Sequence, residues 1–158
     1  MDARLNNFEN TLGTFMKRLV AASQAAGASA VPASTQLLVE IRASQINGCG
    51  FCTDMHTKDA AAAGETAVRL CLVASWREAT VFTDAERAAL ELTEEGTRIA
   101  DAAGGVSDEV WANAAKQYDD DQLGSLVSLI AAINAFNRLN VMVWQPAGSY
   151  RPSQFAGA

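Results

Sequence analysis

The chain has one histidine, three cysteines, three prolines and two tyrosines among its 158 residues, and its 12 Lys and Arg are outnumbered by 18 Asp and Glu. Each scarcity excludes something. With so little proline and 49% apolar residues, the chain is not a disordered polymer. A formal charge of −6, with no block of Lys and Arg, excludes an electrostatic grip on nucleic acid or anionic membrane. A zinc site takes four ligands, and the lone His56 with a few cysteines supplies them poorly, so no metal or other cofactor is expected. No run of ~18 residues is free of charged or strongly polar side chains, so no membrane span is expected. The opening MDARLNNFEN carries charges where a signal peptide has its apolar core. These features predict a cytoplasmic protein, where a close cysteine pair binds metal or cycles between dithiol and disulfide rather than stapling the fold.

The length suits one domain over 1–158 better than two. From Leu5, the residues Phe8, Leu12, Phe15, Met16 and Leu19 recur at helical spacing, predicting a helix that buries this stripe and ends at Gly27. A second helix is expected from Ser34 to Ile46, broken by Asn47-Gly48. A third runs from Cys49 to Gly64 and a fourth from Glu65 to Trp76. Thr83 and Glu86 have capping-box spacing for a fifth, from Asp84 to about Ala102. Ser107 caps a short sixth, to Lys116 or Gln117. Asp119 and Gln122 repeat the box before a long apolar helix reaching about Trp144. Residues 146–158 read as an irregular tail whose Tyr150 and Phe155 would pack. Nothing alternates like a strand, so the fold is expected to be all-α, with six or seven helices. In the last helix Asn134, Asn137 and Arg138 share a face, either as a hydrogen-bonded or solvated stripe or as part of a pocket or interface.

The chemistry concentrates between Ser44 and His56. Cys49 and Cys52 are three apart and Cys52 and His56 four apart, so on a helix all three form one ridge. In the first turn, unpaired backbone N–H groups and the helix dipole favour a thiolate. His56 can take a proton from Cys52 or stabilise its thiolate. If one sulfur is oxidised to a sulfenic acid, the other is near enough to expel water and close a disulfide. Cys71, between Leu70 and Leu72, reads as a small core residue. Glu40, nine residues before Cys49, or Arg42 near it, either reaches the site from the preceding helix to orient His56 or relay protons, or is solvated or paired with a neighbouring charge. Asp54 and Lys58 read as a surface pair, and Trp76 as a core residue in preference to a pocket wall.

The stretch Leu38 to Ala60, LVEIRASQINGCGFCTDMHTKDA, resembles the core motif of the carboxymuconolactone decarboxylase-like superfamily, in its alkylhydroperoxidase D-like branch. The likeness continues through Ser75-Trp76-Arg77-Glu78, Phe82-Thr83 and Ala132 to Asn140. The resemblance implies an all-helical fold assembled as trimers or hexamers. It also implies a CxxC centre that reduces hydroperoxides and is re-reduced by a partner thiol or dithiol protein. On that pattern Cys52 attacks peroxide, Cys49 resolves it and His56 helps remove the proton. Two positions depart: the relay glutamate twelve residues before the first cysteine is Leu37, and the histidine before the second cysteine is Phe51. Weak peroxide turnover is expected unless Glu40 replaces the carboxylate from one turn away. Two other readings stand beside this one: a lyase or isomerase on a small organic acid with His56 as base, and an oligomeric binding module whose cysteines only sense redox state.

Overall fold

The structure, a computed structural model, describes residues 2–5, 7–152 and 154; Phe155 and its predicted packing lie outside these. Among the described residues there are only helices. A single turn, α1 (Phe8–Thr11), is followed by seven longer helices: α2 (Gly13–Gly27), α3 (Ala33–Ile46), α4 (Gly50–Ala62), α5 (Ala67–Leu72), α6 (Asp84–Thr97), α7 (Asp108–Ala115) and α8 (Asp120–Val143). Both predicted capping boxes form: Thr83 with Glu86 opens α6, and Asp119 with Gln122 opens α8.

α3 is the central helix, packed against α4, α6 and α8. Leu38 and Ile41 of α3 meet Val73, Trp76, Phe82 and Leu90 in one apolar cluster. A second joins Val39 to Leu92 of α6, Val110 of α7 and Leu123, Leu126, Leu129 and Ile130 of α8. Ala43, Ile133, Cys49 and Cys52 form a third, at the start of α4.

Four expectations need correcting. The first helix is interrupted at Leu12, and Phe15 is exposed while Leu12, Met16 and Leu19 are only half-buried. Its partner in this chain is chiefly α8, too little surface to cover a whole stripe. The fourth helix is the short α5, capped by Thr66 and followed by a 3-10 turn at Val73–Ser75. That geometry buries Val73 and turns Cys71 out to solvent, so Cys71 is not a core residue. The fifth helix stops at Thr97; Ile99 just beyond it is exposed and has no core to join.

α8 qualifies a further reading, that no segment resembles a membrane span. Averaged over 18 residues its mean hydropathy reaches 1.5, enough by length and composition to cross a membrane. Its placement is that of a core helix, with Asn134, Asn137 and Asn140 on the buried face and each hydrogen-bonded.

One buried carboxylate ties three elements together. Glu94 of α6 accepts from Arg42 of α3 (2.8 Å), from the indole of Trp76 (2.9 Å) and from Arg77. Trp76 is therefore a core residue, with the guanidinium of Arg77 4.3 Å and that of Arg87 5.3 Å from its ring centre. Burial works to raise the Glu94 carboxyl, but hydrogen bonds from Arg77, Trp76 and Arg42 outweigh it and hold it below the ordinary glutamate range. Glu86 is lowered in the same way, burial being outweighed by Arg69 and by the cap at Thr83.

Glu94→Leu leaves Arg42 inside without its counter-charge and should cost about 3 kcal/mol in urea denaturation. Both carboxyls titrate lower folded than unfolded, so their stabilisation is complete above the ordinary glutamate value and fades as pH falls through the folded values. Stability measured from pH 7 downward should therefore fall less steeply for Glu94→Leu than for the parent.

Candidate active site

The turn between α3 and α4 sets the site. Gly48 has φ +65°, a left-handed conformation that glycine adopts without penalty. It lets the chain reverse so that the Cys49 N–H donates to Ser44 O at 2.9 Å. Asn47 pins this turn to α8, its side-chain amide donating to Asn134 Oδ1 and to Asn137 Oδ1, both at 2.9 Å. Asn137 Nδ2 in turn donates to Ser44 Oγ at 3.1 Å, and Ser44 Oγ to Glu40 O at 2.7 Å. The predicted stripe is thus partly a buried network; Arg138, beside it, is exposed.

Cys49 is the N-cap of α4, its sulfur accepting the Cys52 N–H at 3.3 Å. The two cysteines are joined as a disulfide, with Cα atoms 5.4 Å apart. Both are 1% exposed. Asn140 of α8 donates to Cys52 Sγ at 3.4 Å while also bonding Phe136 O at 3.0 Å. Further along α4, His56 is buried, and its Nδ1 lies 3.0 Å from Glu40 Oε2.

Of the predicted site residues, Cys49, Cys52 and His56 lie on the buried side of α4, and Glu40 does reach His56. Leu37, where the resemblance placed a carboxylate, packs instead into the cluster around Trp76 and Phe82. Phe51 packs beside the disulfide against Ile133 and Ala43. Among the described residues there is no group of three or more His, Cys, Asp and Glu side chains arranged to hold a metal ion. Asn47 and Asn140 belong to the site although the spacing of the cysteines and histidine does not point to them. The signal for Asn140 was the i, i+3, i+6 recurrence of asparagine at 134, 137 and 140 within an apolar helix.

The Asp54–Lys58 pair forms at 2.7 Å but has a further task. Lys58 Nζ donates to Gly148 O and Tyr150 O, both at 3.0 Å, and the Gly148 N–H donates to Asp54 Oδ2 at 2.8 Å. Tyr150 OH donates to Asp59 at 2.9 Å. The irregular segment after α8 therefore lies across α4, with Ala147 against Gly50 at the helix start. Burial acts to raise the Asp54 carboxyl, but Lys58 and the N–H groups of Gly148 and Tyr150 hold it below the usual aspartate range.

Residues 13–95 match the carboxymuconolactone decarboxylase family, and with the helical fold and cysteine-bearing motif already described, the chain belongs to that family, in its AhpD-like superfamily. Two relatives are the uncharacterized protein YdfG of Bacillus subtilis, 40% identical over 77% of this chain and 81% of its own, and YnjA of Escherichia coli, 32% identical over 70% and 59%. A crystal structure from Agrobacterium tumefaciens, of a protein of unknown function provisionally described as the antioxidant defence protein AhpD, superposes with a TM-score of 0.86. It is 30% identical and covers 94% of this chain and 100% of its own. Family, fold and the joined cysteine pair together support a general redox role for this site.

Asp54→Ala should free the segment around Gly148. Amide exchange at Gly148 should rise at least ~10-fold, as expected for a bond that opens locally, with little loss of global stability.

Proposed function

We propose that the chain reduces hydroperoxides through a dithiol–disulfide cycle at Cys49 and Cys52, in antioxidant defence in the cytoplasm. The observation that carries this reading is the cysteine pair at the start of α4, one turn from a buried histidine held by a carboxylate. The antioxidant description of the Agrobacterium structure supports it.

In the reduced protein, the Cys52 thiolate attacks one peroxide oxygen and the O–O bond breaks. The sulfur becomes a sulfenic acid and the other oxygen leaves as an alcohol or water. His56 has Nδ1 engaged by Glu40, which leaves Nε2 to take the thiol proton and return it to the leaving oxygen. Cys49 then attacks the Cys52 sulfur, releasing water and closing the disulfide. An external thiol or dithiol protein is oxidised as it restores both thiols. Glu40 supplies from the next turn the carboxylate that Leu37 does not. Val127, Val141 and Met142 of α8 are exposed apolar side chains that contact between copies, in a trimer or hexamer, would cover.

With hydroperoxide and a dithiol reductant, Cys52→Ser should lose turnover by about 100-fold or more. Cys49→Ser should accumulate oxidised Cys52 without closing the disulfide, as read by mass spectrometry of alkylated protein. Glu40→Gln should lower kcat/KM by about tenfold or more and alter its pH profile. Full turnover by both cysteine variants would sink the mechanism.

A further inference from the structure

Besides its disulfide partner Cys49, one side chain touches the reacting sulfur, and it comes from α8. Asn140 Nδ2 lies 3.4 Å from Cys52 Sγ. Its side-chain amide is oriented by a second bond, to Phe136 O one turn back at 3.0 Å, while its main-chain carbonyl accepts the Gln145 N–H at 3.0 Å and closes the end of α8. Asn140 is buried, so its amide is pre-aimed and shielded from competing water.

We propose that Asn140 is a catalytic residue whose amide holds the Cys52 sulfur as the anionic member of the pair. This rests on the dithiol–disulfide reading of the same site. The two sulfurs have different donors. Cys49 has the backbone N–H of Cys52, and Cys52 has the side-chain amide of Asn140. A hydrogen bond to sulfur strengthens as the sulfur gains charge, so the Asn140 contact grows when the disulfide opens. When an external thiolate attacks Cys49 Sγ, the S–S bond breaks and its electron pair leaves on Cys52 Sγ, which Asn140 receives. Cys49 carries the mixed disulfide until a second external thiolate attacks the external sulfur, releasing the Cys49 thiolate and an external disulfide. The stabilised Cys52 thiolate is then the one that meets the next oxidant.

The other titratable groups at this end of α4 are Cys49 and His56, the latter paired with Glu40 of α3. Asp54, Lys58 and Asp59 face the segment from 148 to 150, and Arg138 of α8 bonds back to Asn134. None of these provides Cys52 with a second side-chain hydrogen bond among the described residues. An amide is the apt donor here, because it does not titrate and serves at any working pH.

The test uses the Cys49→Ser, Cys71→Ser background, in which Cys52 is the sole thiol. Serine retains a capping oxygen at position 49. The rate of iodoacetamide alkylation is followed against pH, and folding is checked by circular dichroism and thermal melting. Asn140→Leu should raise the apparent pKa of Cys52 by about one unit, making the thiolate about tenfold scarcer at pH values well below the parent's midpoint. Asn140→Asp keeps the shape and puts a carboxylate against the sulfur, so it should raise the pKa at least as far. If Asn140→Leu does not fold, the aspartate variant decides. A folded variant whose rate–pH curve superimposes on that of its parent overturns the role, which a purely structural asparagine would produce. No peroxide enters this measurement. Failure of peroxide turnover in the parent protein would remove the proposed substrate and leave Asn140 standing, whereas unmoved alkylation curves would remove Asn140 alone.

Discussion

The site depends on one side-chain amide. Both hydrogens of the Asn47 amide are used on α8, one on Asn134 and one on Asn137. Together with the left-handed Gly48, this determines where the chain turns, and hence where α4 begins and which backbone N–H groups face its first sulfur. Without that anchor the turn would be an exposed helix connection. With it, Cys49 is delivered to the N-cap and Cys52 to the buried side of the first turn.

A buried asparagine costs stability unless its partners are present, and α8 carries three in a helix otherwise apolar enough to span a bilayer. Each has a partner: Asn134 in Thr97 and Asn47, Asn137 in Ser44 and Asn47, Asn140 in Cys52. Apolar burial supplies adhesion between α3 and α8 without choosing their register, because leucine accepts many offsets. The asparagines choose it, since a slip by one turn would strand several polar groups at once. Glu94 does the same for α3, α6 and the turn at Trp76.

Most of the helices, both capping boxes and the cysteine–histidine ridge were legible in the sequence, because each is encoded by residues within one or two turns of each other. Thr83 with Glu86 and Asp119 with Gln122 are local signals, and both formed. Contacts between distant residues were less legible. Glu40 had two readings until α3 and α4 were placed side by side. Asn140 is 88 residues from Cys52, and nothing in its neighbourhood announced that partner. The errors share one origin. Phe15, Cys71 and the extension of α6 beyond Thr97 were read from periodicity and neighbouring residues, which identify what can be buried but not whether another element is there to bury it.

α4 is gripped on both sides by one continuous stretch of chain. Its inner side meets Asn140 of α8, and its outer side carries the segment from Gly148 to Tyr150, only a few residues later. The connection bends sharply at Trp144, which adopts a left-handed conformation with the Arg4 guanidinium 4.7 Å from its ring centre. A loop that must clear a helix end and return at a set distance has little freedom in length. Among relatives that keep both grips, the stretch from Trp144 to Gly148 should hold its residue count while the turns between α6 and α7 gain and lose residues freely. The spacing between Asn140 and Gly148 is thus as much a signature of the site as the spacing between its cysteines.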